Sequence, residues 1–152
     1  MKYVCALLAV SDMERSRDFY TSLLGQTVKF DFGANVSFEA GFAIHQQDHF
    51  SGLLDGRPVR TGGNDAELYF EHDDVEGFVA KLTAAGIELI HVAREQPWRQ
   101  LVVRFLDPDH HVIEVGESME HLVRRLHATG MAPDSICQTT GMPHDFVNAA
   151  LA

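Results

Sequence analysis

Asp107-Pro108-Asp109-His110-His111-Val112-Ile113-Glu114-Val115-Gly116 reads as a tight turn running into a strand. Proline presets φ and aspartate side chains bond nearby backbone amides, so Asp-Pro-Asp is a turn with a mechanism. The run after it alternates with period two. That geometry puts Val112, Glu114 and Gly116 on one face and His111, Ile113 and Val115 on the other. Isoleucine and valine look toward a packed layer, which leaves Glu114 facing the opposite side. A carboxylate there must be solvated, paired or metal-bound.

Outward from this stretch, strands are expected at 88–94 and 100–106, after a helix that starts at Asp73-x-x-Glu76. Val75, Phe78, Val79 and Leu82 recur along it at helical spacing, and Gly86 closes it. A strand at 66–71 opens the unit, so residues 65–117 read as βαβββ. The N-terminal part has the same order. A strand at 3–10 precedes a helix opened by a Ser11-x-x-Glu14 capping box, with Phe19, Tyr20, Leu23 and Leu24 as its apolar face and Gly25 at its end. Strands at 27–32, 35–40 and 42–46 complete a module over 1–46. Cys5, Ser11, Asp12 and Glu14 match Glu67, Asp73, Asp74 and Glu76 at an offset of 62, which slips to 61 between Gly25 and Gly86. This register is an internal duplication. Residues 47–64, rich in glycine, read as a linker with one short helical turn at 49–54.

With 152 residues, 45% of them hydrophobic, the chain can bury one good core. The formal charge of -10 argues against nucleic acid and against an anionic membrane surface, because phosphate binding needs clustered Lys and Arg. No run is long and apolar enough for a transmembrane helix, and Met1-Lys2 leads into a strand pattern, not a signal peptide. A cytoplasmic protein is expected. Cys5 and Cys137 are the only cysteines, one in an early strand and one in the tail, so no disulfide framework is expected.

Ala9-Val10-Ser11-Asp12 and Ser16-x-x-Phe19-Tyr20-x-x-Leu23-Leu24-Gly25 carry a family resemblance in the first module. In the second it is carried by Phe70-Glu71-x-Asp73-Asp74-Val75, Ala84-Ala85-Gly86-Ile87 and Asp107-Pro108-Asp109-x-His111-x-Ile113-Glu114. In these segments the chain resembles the vicinal oxygen chelate superfamily, the fold of glyoxalases, bleomycin-resistance proteins and extradiol dioxygenases, over residues 1–117. The resemblance implies an α+β fold of two tandem βαβββ modules with cupped mixed sheets, which often pair across a homodimer. It also implies ligands on the first and last strand of each module, which fall by position on Cys5, His45, Glu67 and Glu114. Glyoxalase I enzymes usually carry His or Gln where Cys5 stands and Glu where His45 stands. Extradiol dioxygenases want His at positions 5 and 67. This chain reproduces neither set.

Two functions are expected from these residues. In the first, His45, Glu67 and Glu114 hold a divalent zinc, nickel, manganese or iron ion that chelates neighbouring substrate oxygens. Glu114 or Glu67 then shuttles a proton in a lyase or isomerase reaction. In the second, the chain is a metal-free protein of the bleomycin-resistance type that sequesters a hydrophobic or cationic small molecule. Arg104, Trp98, Tyr69, Phe38 and Cys5 are the candidate ligand-binding residues.

Each candidate also has a plainer reading. Cys5 is a small apolar residue, as free cysteines usually are; His45 is a hydrogen-bonding histidine; and Arg104, on the alternation face of Gln100 and Val102, compensates the inward glutamates by ion pairing. Phe30, Phe32, Phe38, Tyr69 and Trp98 lie on strands and strand ends where they would line or rim an apolar cavity, although the majority of them are expected to be core. Trp98 is set apart by its polar loop, Glu95-Gln96-Pro97-Trp98-Arg99. His110 and His111 point to opposite faces and read as turn and surface histidines, and Asp48 and His49 as helix-cap or loop residues.

The tail, 118–152, reads as helices at 118–128, 133–140 and 143–151. Short helices around a glycine turn resemble a helix-turn-helix, but no Lys or Arg follows Leu126, so the footprint of a DNA reader is missing. Ile136, Met142, Phe146, Val147 and Leu151 form an apolar face expected to pack on the body, on a dimer mate or over the cavity mouth.

Overall fold

The computed structural model describes residues 1–152. It is an α+β protein whose two four-stranded sheets each have the strand order expected of a βαβββ module. Two compact units share the chain: Met1–Glu67 with Leu106–Val112, and Leu68–Phe105 with Ile113–Ala152.

In the first unit, β1 (Ala6–Val10) leads through α1 (Met13–Asp18) to β2 (Val28–Asp31), β3 (Asn35–Phe38) and β4 (Phe42–Gln46). The sheet order is β1-β4-β3-β2, with β1 parallel to β4 and the other pairs antiparallel. The expected strand at 3–10 starts only at Ala6, paired with Phe42, so Cys5 lies just before it and Tyr3 and Val4 are exposed. α1 runs into a π-helical turn, Phe19–Leu23. That turn carries Tyr20 onto Phe38 and Phe42, and these rings form the core between helix and sheet. Alternation from Phe42 and Ile44 then sends His45 to the face away from α1. The short turn expected at 49–54 is a full helix, α2 (Gln47–Leu53), which follows β4 directly.

The helix cap differs from the capping-box reading. Asp12, not Ser11, receives the Arg15 N–H, at 3.0 Å. Ser11 instead gives its backbone N–H and hydroxyl to Asp109 at 2.9 and 2.6 Å, and the Ser16 hydroxyl reaches the same carboxylate at 3.2 Å. Asp107 accepts the backbone N–H groups of Asp109 and His111, the Tyr20 hydroxyl at 2.8 Å, and a bond from His111 Nδ1 at 2.9 Å. The Asp-Pro-Asp turn is therefore the polar keystone of the first unit. His111, expected at the surface, is half-buried against it.

In the second unit, which takes these strands apart from their end residues Glu67, Leu106 and Val112, β5 (Glu67–Glu71) precedes α3 (Val75–Ala84), β6 (Leu89–Glu95), β7 (Leu101–Leu106) and β8 (Val112–Gly116), in sheet order β5-β8-β7-β6. Asp74 caps α3 by accepting the Gly77 N–H at 2.9 Å, and Asp73 is left to accept the N–H and hydroxyl of Ser118. Phe78 of α3 packs near Phe105, so Val103, Phe105, Ile113 and Val115 form the helix-side layer. Gly25 and Gly86, the expected helix ends, both take positive φ, 67° and 69°.

The tail forms α4 (Met119–Ala128), α5 (Pro133–Thr140) and α6 (His144–Leu151). Leu122, Val123, Leu126, Ile136, Cys137 and Val147 bury one another in a core of their own, with Met142, Phe146 and Leu151 against it. No helix is long and apolar enough to cross a membrane.

Candidate functional site

On the face of the second sheet away from α3, alternation gathers Tyr69 of β5, Gln100, Val102 and Arg104 on and before β7, and Glu114 and Gly116 of β8. A chain of hydrogen bonds orders one end of this face. The Trp98 indole donates to Gln100 Oε1 at 2.9 Å; Gln100 Nε2 donates to the Tyr69 hydroxyl and to the Glu117 carbonyl, both at 2.8 Å; and the Tyr69 hydroxyl donates to Glu71 at 3.0 Å. An indole only donates, so the Gln100 oxygen must face it and both amide hydrogens are spent on the other two partners. Gln100 is buried with every polar atom satisfied. Burial first, with Glu71 acting the same way against the Gln100 bond, pushes the Tyr69 hydroxyl up to about 12, so it stays a donor at neutral pH.

Gly116 makes this arrangement sterically possible. A Cβ there would stand 2.7 Å from Gln100 Nε2 and 3.4 Å from the Tyr69 ring. Trp98 and Tyr69 remain 37% and 45% exposed, so the ordered end of the face presents two aromatic residues to solvent.

Further along the same face Glu114, 5% exposed, pairs with the Arg104 guanidinium. The carboxylate flagged by the alternation of the 107–116 stretch thus meets its compensating cation on the neighbouring strand. Breaking such a buried pair by removing one partner costs about 3–5 kcal/mol.

His45, the first unit's candidate, is buried beneath α2. Its Nδ1 is 3.1 Å from Asn35 Nδ2 and its Nε2 is 2.6 Å from His49 Nδ1, with the two imidazoles stacked at 4.9 Å. Burial, and then the neighbouring His49, lower its pKa, so His45 is held neutral.

Of the residues the sequence nominated, Tyr69, Trp98, Arg104 and Glu114 therefore share one face of one sheet. Glu67 is an exposed residue at the start of β5, beside Asn64, Asp65 and Val112. Cys5 is half-buried ahead of β1, and Phe38, 1% exposed and stacked on Phe42, is core of the first unit.

As they stand, the three metal candidates do not fit a divalent ion. Both His45 nitrogens are engaged, a guanidinium occupies Glu114, and nowhere do three His, Cys, Asp or Glu side chains gather so as to hold a metal.

Sequence reading passed over Glu117, placed Gln100 only as a neighbour of Arg104 on its face, and took His49 for a helix-cap or loop residue. His49 stands four residues beyond His45, a spacing that carries meaning only once 47–53 is known to be helical.

The glyoxalase-like domain family matches residues 3–120 of the chain. A protein of unknown function from Agrobacterium tumefaciens str. C58 is 41% identical to it, covering 78% of this chain and 95% of that one, with a TM-score of 0.71. The chain therefore belongs to the glyoxalase-like family. Lactoylglutathione lyase from Agrobacterium tumefaciens, at 20% identity, shares the fold over 77% of this chain and 93% of its own, with a TM-score of 0.58. TioX from Micromonospora sp. ML1 shares it at 17% identity over 77% and 98%, with a TM-score of 0.57. No curated protein matches significantly. The matched family region ends at residue 120, so most of the C-terminal helices lie outside it.

Proposed function

We propose that this chain is a metal-free small-molecule-binding protein of the glyoxalase and bleomycin-resistance type. Its ligand is a planar aromatic compound, cationic or neutral, stacked on Trp98 and Tyr69. The observation that carries this reading is the Arg104–Glu114 pair, because it spends on an internal cation the carboxylate that a metal site would need. The exposed rings supply a stacking surface worth about 0.5–1.5 kcal/mol for each aromatic contact beyond area burial. Glu71 beside Tyr69 and the net charge of -10 favour a cationic ligand over an anionic one.

The metal-dependent lyase or isomerase reading, with His45, Glu67 and Glu114 as ligands and Glu114 or Glu67 moving the proton, requires Arg104 to leave Glu114 and His45 to leave His49. Two titrations separate the readings. Purified without chelator and titrated with zinc, nickel, manganese and iron, the protein is expected to retain no stoichiometric metal. Titrated with thioflavin T, a cationic aromatic dye, it is expected to show saturable quenching of Trp98 that is lost in Tyr69→Ala. Stoichiometric metal that disappears in Glu114→Ala would replace the binding reading with the enzymatic one.

We also propose a homodimer. Phe30 and Phe32 stack on each other at 5.9 Å while remaining 54% and 72% exposed, a pairing of large rings that a second copy of the chain would cover.

A further inference from the structure

Arg125 lies on α4, past the end of the matched family region, yet its bonds run to the loop that carries Trp98. Its Nη2 donates to the Arg99 carbonyl at 2.7 Å and to Glu117 Oε1 at 2.5 Å, and its Nε donates to Glu117 Oε2 at 3.0 Å. Glu117 is 2% exposed; its Oε1 also accepts the Leu101 N–H at 2.8 Å, and its carbonyl accepts Gln100 Nε2 at 2.8 Å. Nη2 thus bridges the carbonyl of the residue after Trp98 and the carboxylate that holds the residue after Gln100, and Nε adds a second bond to that carboxylate.

The loop needs such a grip. Arg99 sits at a φ of 75°, a left-handed conformation that a non-glycine residue holds only when its surroundings enforce it. Within the loop, the Arg99 N–H bonds the Gln96 carbonyl at 2.8 Å and the Gln96 N–H bonds the Gln100 carbonyl at 2.8 Å. Arg99 Nε and Arg125 Nη1 also meet Glu95 from either side, at 2.7 and 3.7 Å. The hydrogen bond to Glu117 first, and its charge, raise the Arg125 pKa, so the grip is cationic throughout the physiological range.

We infer that Arg125 is a positioning residue for the Trp98–Gln100–Tyr69 wall, and that through it the C-terminal helices set the ligand-binding geometry of the second sheet. This inference rests on the proposed role of that wall in binding, and the two fail separately. Lysine's single ammonium cannot reproduce the two-nitrogen grip of Nε and Nη2 on the Glu117 carboxylate.

Trp98 is the only tryptophan in the chain, so tryptophan emission, excited selectively, reports this loop alone. The experiment measures acrylamide quenching of Trp98 and thioflavin T affinity in the full-length protein and three variants. Arg125→Lys keeps the charge beside Glu117 but loses the two-nitrogen grip on its carboxylate. Glu117→Gln with Arg125→Met removes the buried charge together with its partner, so neither is left uncompensated. Arg124→Ala, exposed on the same helix, is the control.

In the first two variants the quenching constant is expected to rise by about twofold as the loop loosens. Dye affinity is expected to fall by about fivefold, the equivalent of one ordinary hydrogen bond of about 1 kcal/mol. Circular dichroism should be unchanged, and the control should match the parent. Unchanged quenching in both variants would overturn the inference, and so would loss of the fold in both, since Arg125 would then be a stability residue. If Trp98→Phe and Tyr69→Ala bind the dye as the parent does while the quenching still responds to Arg125, it is the binding role of the wall that fails.

Discussion

Asp107 is the residue on which the chemistry of the first unit converges. Burial by itself raises its pKa, but the bond and charge of His111, the His111 backbone N–H and the Tyr20 hydroxyl together outweigh it and hold the carboxyl below its ordinary 3.8. A folded pKa that is depressed contributes stability present above the unfolded value and lost as pH falls through the folded one. The urea midpoint is therefore expected to fall steeply below about pH 4. In Asp107→Asn it should be lower at pH 7, by about 1–3 kcal/mol of stability, and less dependent on acid. An unchanged acid slope in that variant would remove Asp107 from this role. Tyr20 is the counterpart: burial, then Asp107, raises its pKa, so it remains a donor to that carboxylate.

At the scale of elements, the two modules repeat a plan but not its bonds. Asp12 caps α1 and Asp74 caps α3 at equivalent positions, while their preceding residues, Ser11 and Asp73, reach to Asp109 and Ser118. The tail helices are held by their own core more than by propensity, as helices of eight to ten residues must be. Ile136, fully buried there, has no polar alternative. Ile136→Ala is expected to cost about 2–5 kcal/mol in chemical denaturation. Because α4 grips the Trp98 loop, the same variant should expose Trp98 to quencher at denaturant concentrations where the sheet signal is still native. Simultaneous loss of both signals would show that the tail does not open on its own.

For the whole molecule, charge and exposed surface decide what it meets. A net charge of -10, with no Lys or Arg after Arg125, leaves no electrostatic footprint for nucleic acid. The exposed Phe30 and Phe32 pair sets the expectation for assembly. Sedimentation equilibrium should give twice the 16.9 kDa chain mass, and Phe30→Asp with Phe32→Asp should return it to the single-chain mass without loss of secondary structure. A parent protein that sediments as a monomer would reject the dimer.

The sequence by itself determined the elements and their order. Period-two runs, helical spacing and the glycines at 25 and 86 placed the strands and helices, and the 62-residue register exposed the duplication, because backbone geometry imposes those periods locally. It also offered pairing with Arg104 as the plainer alternative to a metal at Glu114, since alternation puts both on one face. Tertiary structure decided the partners. Ser11 satisfies Asp109, 98 residues away, and leaves the cap to Asp12. His45 is engaged by His49, Phe38 turns into the core, and Arg125 reaches Arg99 across 26 residues. Which donor meets which acceptor depends on what burial strips of water and what stands within about 3 Å, and no local period carries that information.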